Sequence, residues 1–107
     1  MFKMTQRAAQ QVFHSAKESH MEGLALRIAA KRLPDGSIEY GMGFDDIHEE
    51  DILIHSKGVE IIFDATHKEL LSGTVMDFVE LEPGDFQFIF LNPNDPHFVP
   101  PQEEVEI

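Results

Sequence analysis

Cysteine is absent from this 107-residue chain, and so is tryptophan. Without a thiol there is no disulfide, no thiolate zinc site and no cysteine nucleophile. The six histidines are then the softest metal ligands available. Basic residues are also scarce, with 8 Lys and Arg against 20 Asp and Glu, for a formal charge of −12. Nucleic acid is bound by neutralising its phosphates with cations, so it is disfavoured as a partner, as is an anionic membrane surface. A partner protein with a basic face would instead be steered in. Long apolar runs are missing as well. No stretch approaches the ~20 residues of a membrane span, and MFKMTQRAAQ lacks the apolar core of a secretory signal. The expectation is a cytoplasmic protein with no membrane association.

What is present suffices for one core. Hydrophobic residues make up 42% of the chain, and its length is that of a single domain. Thr5 is a candidate N-cap, and Ala8, Ala9, Val12, Phe13 and Ala16 follow at helical spacing. This predicts an N-terminal helix stopped at Gly23. The period then changes to two, with Leu24, Leu26, Ile28 and Ala30 on one face of a strand. Pro34, Asp35 and Gly36 supply turn chemistry. Ile38, Tyr40, Met42 and Phe44 alternate on the returning strand, where Gly41 and Gly43 on the other face would let a second backbone approach. Residues 45–51, DDIHEED, read as an exposed acidic connection. Ile52 and Ile54, then Val59 to Phe63, predict two more strands around a Lys57-Gly58 turn. Asp64 caps a short helix running to Leu71, and Gly73 closes it. Thr74 to Leu81 and the Phe86, Phe88, Phe90 stripe form a last pair of strands, with the stripe read as core. The fold class is α+β and mostly β: one long N-terminal helix, one short internal helix and six or seven strands. Residues 1–94 form the domain, and 95–107 a flexible acidic C-terminal tail.

Candidate chemistry is thin. No serine sits in a Gly-x-Ser-x-Gly turn, so the residues point to a binding protein and not an enzyme. Asp45, Asp46, Glu49, Glu50 and Asp51 lack the central glycine and the spacing of a calcium loop. As a charged loop they are the candidate partner-binding patch. No two histidines share a helix face at metal-binding spacing. His97 follows Asn92-Pro93-Asn94, and with Glu103 and Glu104 it makes a weak candidate set of iron ligands.

Several stretches resemble the HesB/IscA family, the A-type carriers of iron–sulfur clusters. They are Gly23, Leu24 and Leu26 opening the first strand, EDILIHSKGVEIIFD from Glu50 to Asp64, SGTVMDFVE from Ser72 to Glu80, and the Phe-x-Phe strand ending at Asn92-Pro93-Asn94. They stand in family order over about residues 5–94. The resemblance implies a compact β-rich domain with a helix packed against it. It also implies a cysteine in the loop after the first strand and a Cys-Gly-Cys pair past Asn-Pro-Asn. Leu33 or Pro34 stands near the first of those positions, and Val99 and Pro101 near the others. These are degenerate ligand positions, because neither an aliphatic side chain nor a proline replaces a thiolate. The chain is similar in this to cysteine-less A-type-like proteins of sulfur-oxidising bacteria. The expectation is therefore no cofactor, and no cluster held through cysteine. Its role is that of a non-enzymatic accessory or regulatory protein of sulfur oxidation or iron–sulfur metabolism, monomeric or weakly self-associating, that binds a partner protein of that machinery. The competing expectation is an iron carrier using histidine and carboxylate ligands.

Overall fold

A two-residue strand, β1 (Lys3–Met4), leads into helix α1 (Gln6–Glu18). The computed structural model describes residues 1–96 and Phe98. Thr5 caps α1 as its sequence position predicts, its side-chain oxygen accepting from the Ala8 amide. The helix ends before Gly23. His20 takes a left-handed conformation, φ 56°, and its amide donates to the Lys17 carbonyl while the Met21 amide donates to Ala16. That pair of bonds is a Schellman motif built on histidine, and it places the left-handed cap three residues earlier than Gly23 suggests.

Strands β2 (Ala25–Arg32) and β3 (Ile38–Asp45) form the predicted hairpin, with Ile28 opposite Met42 and Arg32 opposite Ile38. Strands β4 (Ile52–Ser56) and β5 (Val59–Phe63) form a second one. Its two-residue turn places both Lys57 and Gly58 at positive φ, the backbone that matches the twist of the flanking strands. The four strands make one sheet in the order β3-β2-β5-β4, with β2 parallel to β5. A 3₁₀ turn (Ala65–His67), capped by the Asp64 side chain, runs into helix α2 (Lys68–Leu71). Strands β6 (Val75–Glu82) and β7 (Asp85–Leu91) pair with β1 in the order β1-β6-β7.

Because side chains alternate along a strand, Leu26, Ile28 and Ala30 of β2 fall on the same face as Val59, Ile61 and Phe63 of β5. All six are buried, together with Ala8, Ala9 and Val12 of α1, Leu71 and Met76. Each fully buried Ile, Leu or Met contributes roughly 1.5–3 kcal/mol through loss of apolar surface to water. The observed class is the predicted one, mostly β with one long and one short helix.

Two aromatic residues depart from their predicted place. Phe13 is 52% exposed, because it lies at the edge of the apolar stripe that Ala9, Val12 and Ala16 already fill. Phe86 is 56% exposed, since the β6–β7 hairpin runs past the core and residues 80–87 are all exposed. Phe88 and Phe90 are half-buried against the core, and Phe90 stacks on Tyr40 with ring centroids 4.4 Å apart.

Candidate functional site

At one end of the domain the β2–β3 loop meets the segment that follows β7. The loop is closed by the Leu33 amide donating to the Ser37 carbonyl and by Gly36, at φ 89°, donating to Leu33. Asp35 accepts from both the Ser37 amide and its hydroxyl. Arg32 joins the two pieces of chain, giving one guanidinium hydrogen bond to the Gly36 carbonyl at 2.6 Å and one to the Asn94 carbonyl at 3.3 Å. Pro96 lies against Gly36, and a Cβ built at that glycine would stand 3.8 Å from the proline ring. Leu33 is half-buried there and Pro34 is exposed at the tip.

The Asn92-Pro93-Asn94 stretch is a clasp on the end of α2. Asn92 is 1% exposed and its side chain donates to the Leu70 carbonyl at 2.6 Å, while its Oδ1 accepts from the Asn94 amide at 2.9 Å. The Asn94 side chain donates to the Ser72 carbonyl at 3.0 Å. These bonds satisfy carbonyls that a helix leaves open at its C-terminus. The chain continues in turns, with Asp95 donating to the Asn92 carbonyl and Phe98 to Asp95. The Tyr40 hydroxyl is enclosed close to Asn92 without a well-formed hydrogen bond, and burial raises its pKa.

The acidic connection, residues 45–51, divides into two sets. Arg27, on the outer face of β2, donates from Nε to Asp45 at 2.7 Å and as a fork to both Asp51 oxygens at 2.8 and 2.7 Å. Asp51 also accepts from the His48 amide. Arg27 holds Asp51 down to a pKa of about 2 and lowers Asp45 in the same way. Asp45 and Asp51 are thus the latch that fixes this loop to the sheet. Asp46, Glu49 and Glu50 are exposed and remain as the outward-facing part of the patch. Sequence reasoning treated the five carboxylates alike. The signal that separates them is Arg27, a cation set within the apolar run ALRIAA of β2, whose first residue Ala25 pairs with Asp45.

His97, Val99, Pro101, Glu103 and Glu104 lie outside the described residues. Among the described residues no group of three or more His, Asp or Glu side chains is placed to hold a metal ion. A cluster held by one chain asks for soft thiolates, and the chain has none, so the described donor set does not fit one. No helix among the described residues is long and apolar enough to cross a membrane.

No protein-family model matches the chain. It is 35% identical over 92 residues to the iron-binding protein IscA of Serratia proteamaculans, which covers 85% of this chain and 84% of that protein. It is 31% identical over 93 residues to the iron–sulfur cluster insertion protein ErpA 2 of Methylococcus capsulatus, covering 86% and 71%. The fold is similar to that of IscA crystallised with a [2Fe-2S] cluster, with a TM-score of 0.73 and 28% identity over 87% of this chain and 86% of that one. It is also similar to that of Escherichia coli SufA, with a TM-score of 0.69 and 22% identity over the same shares. These comparisons overturn the expectation of a protein without any cofactor. One relative is named as iron-binding and one similar structure holds a cluster, which points to iron or iron–sulfur binding despite the missing cysteines. That expectation rested on the missing thiolates, and their absence does not bear on iron taken by histidine or carboxylate donors.

Proposed function

We propose, since the chain belongs to the HesB/IscA family of A-type iron–sulfur carriers, that it is a non-enzymatic accessory protein of iron–sulfur cluster biogenesis that takes iron as cargo without a thiolate of its own. The observation that carries the reading is the junction of the β2–β3 loop with residues 92–96. Arg32 and the Asn92 clasp keep the two pieces of chain together, at the loop where the family resemblance implies a cysteine and this chain has Leu33 or Pro34. The scaffold is retained and the soft ligands are not. Nitrogen and oxygen donors suit a mononuclear iron ion, and His97, Glu103 and Glu104 are the candidates.

The finer setting belongs to the same proposal. The protein acts in the cytoplasm, in sulfur oxidation or an allied branch of iron–sulfur metabolism, as a monomer or weak homo-oligomer. It presents Asp46, Glu49 and Glu50 to a basic partner of that machinery. The net charge of −12 supports electrostatic capture of such a partner.

Anaerobic titration with ferrous iron, followed by gel filtration and an iron assay, tests the reading. Iron that co-elutes with the wild type and is lost on His97→Ala supports it. An iron-free protein after the same treatment refutes it.

A further inference from the structure

Phe13 is a large apolar side chain beside the buried Val12 and Ala16 of α1, yet about half of its surface meets water. It forms one wall of an open groove of about 250 Å³ between α1 and the start of β2. The buried Val12, Ala16 and Val59 line it, together with Leu24 and Phe44. The Phe13 ring reaches across to the β4–β5 turn, where a Cβ built at Gly58 would stand 3.6 Å from its Cζ. Met21, 40% exposed, and Leu24, 36% exposed, extend the apolar surface around the helix end. The charged residues lining the groove are Glu22 and Glu60, both exposed, and no lysine or arginine lines it.

We propose that this groove docks a segment of a partner protein that offers one large apolar side chain between lysines or arginines. The cavity has room for one such side chain, and buried apolar anchors of this kind carry most of the affinity of small interfaces. The carboxylates on its rim select the flanking charge. A second copy of this chain is the poorer occupant, because each copy carries a formal charge of −12 and the rims would repel. An anionic lipid surface is disfavoured for the same reason. The groove is separate from the Asp46, Glu49, Glu50 loop and does not depend on where iron is held.

The protein contains no tryptophan, so a tryptophan in a probe peptide reports alone. The peptide Lys-Lys-Trp-Lys-Lys is titrated with the intact protein at low salt, reading the blue shift of the indole emission. Saturable binding is expected. It weakens about tenfold in the Glu22→Lys/Glu60→Lys double variant, from two reversed rim charges. The shift itself falls in Phe13→Ala, where one wall is gone. Both variants alter exposed residues, and circular dichroism checks that they fold. Equal binding of Glu-Glu-Trp-Glu-Glu would overturn the proposal by showing that charge plays no part. Unchanged binding by the double variant would overturn it too, since other carboxylates would then hold the peptide. So would a wild type that sediments as a dimer and becomes monomeric on Phe13→Ala, because the occupant would be a second copy.

Discussion

Asp77→Asn should destabilise the domain by about 2–3 kcal/mol, although nothing but one oxygen is exchanged for an amide nitrogen. Asp77 is 2% exposed and sits on β6 beneath the start of α1. Its carboxylate accepts from the Thr5 hydroxyl at 2.6 Å, from Arg7 Nε at 2.7 Å and Nη2 at 2.5 Å, and from the Phe78 amide at 2.8 Å. Asparagine keeps one acceptor oxygen and turns an amide toward a donor. Removing one partner of a buried ion pair costs about 3–5 kcal/mol when both are enclosed. Arg7 is 44% exposed and rehydrates, which brings the figure down. For a domain of this length, 2–3 kcal/mol lowers the midpoint of thermal unfolding by about 10 °C.

The pH profile sharpens the test. Burial alone would raise the Asp77 pKa, but the hydrogen bonds from Arg7, Thr5 and the Phe78 amide outweigh it and the net shift is downward. A carboxylate depressed in the folded state stabilises above its unfolded value, near 3.9, and loses that contribution as pH falls through the folded value. Wild type and variant should therefore differ most at neutral pH and converge below about pH 4. Urea unfolding followed by circular dichroism at pH 7 and pH 3 measures both. A difference under about 0.5 kcal/mol at pH 7, or one that does not shrink at pH 3, would refute the reasoning.

Other perturbations follow the same logic. Arg27→Met should return Asp51 from about 2 toward the ordinary carboxylate range, read by carboxyl carbon NMR, and should speed amide exchange across residues 46–51. The stability that Arg27 gives through Asp51 is present above about pH 4 and vanishes toward pH 2, so the variant's deficit should do the same. Gly73→Ala should cost about 1–2 kcal/mol in thermal unfolding, because φ is 78° and the new Cβ would meet Pro93 at 3.1 Å. Asn92→Ala should cost about 2 kcal/mol by leaving the Leu70 carbonyl only the longer 3.3 Å bond from Asn94, and amide exchange at the end of α2 should rise with it.

Much of the fold was legible because local signals agreed with global packing. The Thr5 cap, the period-two runs of β2 and β3, and the turns at Gly36 and Gly58 each forced one local answer. Phe13 and Phe86 were misplaced because periodicity gives a face and not a depth. Phe13 lies at the rim of its stripe, and Phe86 beyond the end of the core. Asp77 carried a signal that pattern reading passed over, a lone carboxylate inside the apolar run TVMDFV. The junction of the β2–β3 loop with Asn94 joins residues about 60 apart, and no local rule brings them together. Arg32 does so, and its spacing to Asn94 holds no motif.

The atoms that meet iron are open to direct measurement. Iron K-edge X-ray absorption on protein loaded anaerobically with ferrous iron, after unbound metal is removed, reads that shell directly. The account predicts retained iron surrounded by nitrogen and oxygen, with no sulfur scatterer. A sulfur shell, or protein that retains no iron, would contradict it.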